Sequence, residues 1–187
     1  MPKLIALVGM CGAGKSIAAD FFVKNGFQFL RFGQITLDEV IKRGLEPNEE
    51  NEKKIREEFR HIHGMGAFAT LNLPKIDVLL KNGNVVIDGL YSWSEYKILK
   101  QTHPQITVVA IYASPKTRYA RLTARKTSTD MKLRDRQMTM EKAAARDFAE
   151  IENIEKGGPI AMADYTVNND NNLKQTIKEL RKLLKII

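Results

Sequence analysis

Eight residues near the N-terminus, Gly9-Met10-Cys11-Gly12-Ala13-Gly14-Lys15-Ser16, carry the pattern G-x-x-x-x-G-K-[ST] of a phosphate-binding P-loop. Each position has a chemical reason. Gly9, Gly12 and Gly14, with Ala13 among them, let the backbone curl so that successive N–H groups converge on phosphate oxygens. Lys15 brings a mobile charge to the β- and γ-phosphates, and the Ser16 hydroxyl can ligate Mg²⁺. Cys11 fills a variable position. The chain holds no second cysteine to resolve an oxidised one, which argues against a redox role. ATP with Mg²⁺ is the ligand pair that these groups suit.

A second candidate is Asp88, which ends the apolar run Val85-Val86-Ile87 and precedes Gly89. A carboxylate there can hold Mg²⁺ through water or take a proton from an acceptor hydroxyl. The competing reading is a turn-forming Asp before Gly. A third candidate is a run of cations. Residues 116–146 hold ten Lys and Arg against Asp130, Asp135 and Glu141, nearly all of the chain's net charge of +8. Arg118, Arg121 and Arg125 are three and four apart, so they share a helix face. Phosphoryl transfer needs cations that close on the γ-phosphate, so Arg121 and Arg125 are read as catalytic, with Arg121 also on the nucleotide. Arg134 and Arg136 are their counterparts across a polar stretch at about 126–136, read as a lid, and Arg146 follows them. The alternative is a solvated basic helix.

The elements that must position these groups follow from the pattern of apolar residues. Leu4 to Val8 reads as a strand buried on both faces, and a helix through Ala18, Ala19, Phe21 and Phe22 follows the loop, its positive end toward the anion. Further strands are expected at 27–32, 85–88, 106–112 and 164–167. Helices are expected at 36–43, 48–59, 67–81 with a kink at Pro74, 94–100, 115–125, 137–155 and 173–187. Gly157-Gly158-Pro159 reads as a break, and His61 and His63 as a surface turn. Alternating strands and helices mean an α/β fold, a parallel sheet with helices on both faces, in one domain over 1–187. Ligands of such sheets bind beyond the carboxyl ends of the strands, where the P-loop, the Gly33 turn, Asp88 and Ser114 all fall.

Composition narrows the partners. The chain of 187 residues has 30 Lys and Arg, 22 Asp and Glu, and 43% hydrophobic residues, which suits a packed core. Charge interrupts every long apolar stretch, so no segment is expected to span a membrane, and no secretory signal is expected at the N-terminus. One cysteine excludes an internal disulfide and a cysteine zinc cluster, and the cytoplasm is the default compartment. No aromatic platform accompanies the basic residues, which argues against nucleic acid as the partner. A small-molecule phosphate acceptor fits better, in a monomer or homodimer.

The order of these parts resembles the nucleoside-kinase branch of P-loop proteins, the adenylate kinase and dephospho-CoA kinase-like group. Phe32-Gly33-Gln34 sits where adenylate kinases carry Thr-Gly-Asp, and Asp88-Gly89-Leu90 where they begin Asp-Gly-Phe-Pro-Arg. Ala113-Ser114-Pro115-Lys116-Thr117-Arg118 and Ala163-Asp164-Tyr165-Thr166-Val167 are most similar to adenylate-kinase-related proteins known mainly from archaea; the second segment also resembles the Ala-Asp-Tyr strand of dephospho-CoA kinases. The resemblance implies a P-loop NTPase fold with a five-stranded parallel sheet in the order 2-3-1-4-5. It also implies a helical acceptor-binding insertion at about 34–81 and an Arg-rich lid. The activity it implies is ATP- and Mg²⁺-dependent phosphorylation of a small molecule, a nucleoside monophosphate or related nucleotide. The alternatives are a dephospho-CoA kinase-like activity and a regulatory P-loop NTPase without an acceptor. The chain departs from the family where arginines hold the acceptor phosphate: Leu37 and Tyr91 or Ser92 stand there instead. Arg31, Gln34 and Arg60 are then the substitutes, with His61 and His63 beside Arg60, and Tyr91 and Trp93 could stack on a base or simply pack a helix.

Overall fold

The computed structural model describes residues 1–124, 138–170 and 172–187. Its five strands are β1 (Leu4–Val8), β2 (Gln28–Arg31), β3 (Val85–Asp88), β4 (Thr107–Tyr112) and β5 (Tyr165–Asn168). All pair in parallel, in the order β2-β3-β1-β4-β5. Every residue of β1 is buried, as a central strand covered on both faces requires. Alternate side chains split between two cores. Leu4, Ala6, Val8, Val85 and Ile87 face one, and Ile5, Leu7, Val86 and Val109 face the other.

The helices are α1 (Lys15–Lys24), α2 (Gln34–Lys42), α3 (Glu49–His63), α4 (Ala67–Asn82), α5 (Trp93–Thr102), α6 (Pro115–Thr123), α7 (Met140–Glu152), α8 (Gly157–Ala161) and α9 (Leu173–Leu184). Phe21 and Phe22 of α1 and Leu180 and Leu183 of α9 cover the second core. Phe68 and Ile76 of α4 and Tyr96 and Leu99 of α5 cover the first. Local chemistry marks the starts. Asn48 caps α3 by accepting from the Asn51 N–H, Ser114 caps α6 ahead of Pro115, and Ser92 and Glu95 form a reciprocal capping box on α5.

Three expectations are corrected. His61 and His63 lie on the last turn of α3, because nothing stops that helix before Gly64, whose φ of 73° ends it. Gly157-Gly158-Pro159 is not a break but the start of α8: proline is tolerated in a first turn, where its missing N–H has no helical partner anyway. The helix expected to reach Arg125 ends at Thr123. Arg125, Arg134, Arg136 and the expected lid at 126–136 lie outside the described residues. Among the described residues no helix is long and apolar enough to cross a membrane.

Candidate nucleotide and acceptor cleft

The parallel register brings the candidate residues to one end of the sheet. Leu7 pairs with Asp88, and Asp88 pairs on its other side with Arg31. The P-loop leaves β1 two residues after Leu7, so Asp88 and Arg31 stand beside it at the carboxyl ends. Gly14 opens α1 in the left-handed conformation, φ 101°. Lys15 folds back over the loop, its Nζ donating to the Gly9 carbonyl at 2.8 Å and the Met10 carbonyl at 3.2 Å. Ser16 is exposed on the first turn of α1.

The outside of the loop is gripped by residues far away in sequence. Buried Arg118 donates from Nη1 to the Cys11 carbonyl at 3.1 Å and from Nε to the Ala113 carbonyl at 3.0 Å. The same guanidinium pairs with Asp147 of α7, with an Nη1–Oδ1 distance of 2.9 Å. Asn169, just after β5, donates from Nδ2 to the Ala13 carbonyl at 2.7 Å, while its Oδ1 accepts from Thr176 Oγ1 of α9. These grips explain two of the glycines. A Cβ on Gly12 would lie 2.9 Å from the Arg118 carbonyl oxygen, and one on Gly14 would collide with the Asn169 amide. Arg121 is drawn to the same wall: its Nη2 donates to the Asn169 carbonyl at 2.6 Å, and its buried Nη1 has no partner.

The other side of the cleft carries the acceptor candidates. Asp88 Oδ1 is buried without a hydrogen-bond partner, as are Thr36 Oγ1 and Asn72 Oδ1. Arg31 and Gln34 help to line a cavity of about 390 Å³ with Phe29, Lys75 and Leu79, and Gln34 also donates to Asp38. Arg60 lies 5.3 Å above the Phe68 ring, its Nε is buried without a partner, and burial lowers its pKa. The Glu95 charge opposes that lowering, and Glu95 Oε2 accepts from the Tyr91 and Ser92 N–H groups. The structure therefore joins Gly9 to Ser16, Asp88, Arg31 and Arg121 at the strand ends and links Arg60 to that group through Glu95 and Tyr91. His61 and His63 are exposed. Trp93 is taken up in packing: it stacks on Tyr96 at 4.9 Å and seats Gly158, leaving it no face for a base.

Several residues at this cleft carried no sequence signal: Asn169, Asp147, Glu150 and Lys156. Lys156 is 1% exposed, and its Nζ sits 4.5 Å over the Tyr91 ring. Glu95 could have been found, because Ser92-x-x-Glu95 spells a capping box.

Glu95 makes the cleft pH-sensitive. Burial pushes its carboxyl up to about 7, against the opposing pull of the Tyr91 and Ser92 amides. A folded-state pKa above the unfolded value of 4.5 means that the stabilisation is complete below about pH 4.5 and is lost as the pH rises through about 7. Glu95→Gln keeps the shape without the charge. It should raise stability at pH 8 by about 3 kcal/mol and be nearly neutral at pH 4.5. Urea unfolding at the two pH values checks this; equal effects at both would show that the carboxyl titrates normally.

The groups present suit a Mg²⁺-nucleotide: a curled backbone backed against fixed walls, a lysine over it, and an orphan buried carboxylate oxygen on the neighbouring strand. Comparisons with known proteins bear on the family and the fold. Residues 5–155 match the AAA domain family. The chain is 35% identical to the UPF0200 protein TK1334 of Thermococcus kodakarensis over 184 residues, 97% of this chain and 96% of that one. Among solved structures it is similar to a shikimate kinase from Bacteroides thetaiotaomicron, with a TM-score of 0.60 at 15% identity, covering 100% of this chain and 98% of that one. It is also similar to a gluconokinase from Sinorhizobium meliloti 1021, with a TM-score of 0.56 at 14% identity, covering 99% and 95%. At such identities the likeness shows the fold, a P-loop kinase-like α/β sheet.

Proposed function

This chain belongs to the AAA domain family of P-loop proteins and to the UPF0200 proteins, and on that premise we propose that it transfers the γ-phosphoryl group of ATP to a small-molecule acceptor, a nucleoside monophosphate or related nucleotide. The observation that carries this reading is the register of Leu7 with Asp88, which sets an orphan carboxylate oxygen beside the P-loop at the mouth of the acceptor side. The buried Asp88 Oδ1 lacks a partner, and an acceptor hydroxyl or metal-bound water would satisfy it.

Each residue then has a task. The N–H groups from Gly12 to Ser16 and the α1 N-terminus hold the β-phosphate, with Lys15 moving from the loop carbonyls to the phosphates. Ser16 and, through water, Asp88 would hold Mg²⁺, which neutralises charge on the β- and γ-oxygens. Arg121 meets the nucleotide with its free Nη1 while Nη2 stays on Asn169. Arg31, Gln34 and Arg60 bind the acceptor, and the Tyr91 backbone is fixed for it by Glu95. Arg125, Arg134 and Arg136 extend the same cationic set from outside the described residues.

Acceptor-dependent ADP release across nucleosides, nucleotides and dephospho-CoA tests the proposal. A nucleotide should raise ADP release at least tenfold over ATP and Mg²⁺ alone. AMP should be poorer here than with an ordinary adenylate kinase, since Leu37 and Tyr91 stand where phosphate-binding arginines are expected. Release that no acceptor changes would point to a regulatory NTPase, and a preference for dephospho-CoA would replace the acceptor class.

A further inference from the structure

We propose that Lys156 is the second cation of the transfer site, its ammonium binding the transferring phosphoryl group from the side opposite Lys15. This rests on the phosphoryl-transfer reading and adds a residue that neither motif nor resemblance marks.

The placement of Lys156 is built from three directions. Trp93 of α5 packs against Gly158, where any Cβ would lie 2.9 Å from the indole, and Tyr96 Oη donates to the Met162 carbonyl, so α8 is seated on α5. Glu150 of α7 holds Lys156 at both ends: its carbonyl accepts from the Lys156 N–H at 3.1 Å, and its Oε2 accepts from Nζ at 2.5 Å. Between them Glu155 is forced to φ 54°, in the left-handed region that a glutamate avoids. A strained turn of this kind persists where the surroundings dictate it. Its effect here is to turn a lysine inward, over Tyr91, three residues past Asp88.

The charges around Lys156 point to an anion. The charges of Lys15 and of Arg146 both oppose its protonation. Glu150 is shared, since it also pairs with Arg146 at 2.9 Å. Glu95 and Tyr91, from the segment after β3, also face this point, and Asp88 and Arg31 act on Tyr91. Burial first, and then the Lys15 charge, draw Lys156 down to about 8. An anion bound beside Lys156 would relieve that opposition. Tyr91 occupies the position where an acceptor arginine is expected, and Lys156 delivers a cation to the same place from the other end of the chain.

In the transfer step the bond from the γ-phosphorus to the β–γ bridging oxygen breaks, and ADP leaves with the electron pair. A bond from an acceptor oxygen to that phosphorus forms. A hydroxyl acceptor passes its proton to Asp88, and a phosphate acceptor has none to pass. Lys156 keeps its proton throughout and neutralises charge on the equatorial oxygens.

The test uses the whole chain and needs no knowledge of the acceptor. ADP with aluminium fluoride and Mg²⁺ mimics the transferring phosphoryl group, and ADP alone is the control. Lys156→Met should weaken the fluoride complex about 100-fold and ADP alone less than about twofold. Lys156→Arg should recover at least a tenth of the wild-type affinity. In case Lys156→Met does not fold, NMR titration of ¹⁵N-lysine wild-type protein follows the same ammonium. The fluoride complex should raise its titration point above about 8, and ADP alone should not. Equal fluoride affinity in wild type and Lys156→Met, or an unmoved titration, overturns the proposal. A wild-type protein that binds the fluoride complex no more tightly than ADP would instead overturn the phosphoryl-transfer reading beneath it.

Discussion

Lys15→Ala is expected to reduce phosphoryl transfer by at least about 10³-fold, because it removes the only P-loop side chain that can follow the charge from the β- to the γ-phosphate. Its native bonds go to the Gly9 and Met10 carbonyls at a partly exposed site, so the fold should lose no more than about 0.5 kcal/mol. Single-turnover rates and urea unfolding of the same preparation separate the two effects. Wild-type turnover in folded Lys15→Ala protein would remove the P-loop from the mechanism.

Arg118→Ala should be the most destabilising single change at the site, at about 3–5 kcal/mol. The ion pair with Asp147 is nearly closed to solvent, with side chains 5% and 8% exposed, so deleting the arginine strands a buried carboxylate. The same change frees the Cys11 carbonyl and the outer wall of the loop. Arg118→Met combined with Asp147→Leu fills the space without charge. It should recover most of the stability but not the nucleotide affinity, because the Cys11 grip is still missing. Full recovery of ADP binding in the double variant would show that Arg118 serves only the packing of α6 on α7.

What could be read beforehand was local. The P-loop, the strand-ending Asp88 and the Ser114 cap announce themselves within a few residues of chain. The sheet order agrees with the resemblance because a P-loop on the central strand admits few right-handed windings. What could not be read was long-range. Asn169 reaches Ala13, and Arg118 reaches both Cys11 and Asp147. Lys156 stands beside a glycine pair with no motif around it, yet it is buried, since an ion pair and an aromatic face await it. Spacing groups Arg118 with Arg121 and Arg125, but Arg118 faces inward to the loop backbone at Cys11. Spacing gives the face of a helix and not what that face meets.

The Asn169 bond to Ala13 has a consequence for how the protein is made. β1 and its loop are synthesised before the strands that flank β1, β3 and β4, and before the amide that pins Ala13. A nascent chain that has emerged only as far as β4 holds every residue of the nucleotide motif on a sheet that is not yet finished. The loop acquires its outer wall once β5 and α9 arrive, with Thr176 orienting the Asn169 amide. On the proposed function, a bound nucleotide would therefore report that β5 and α9 have docked.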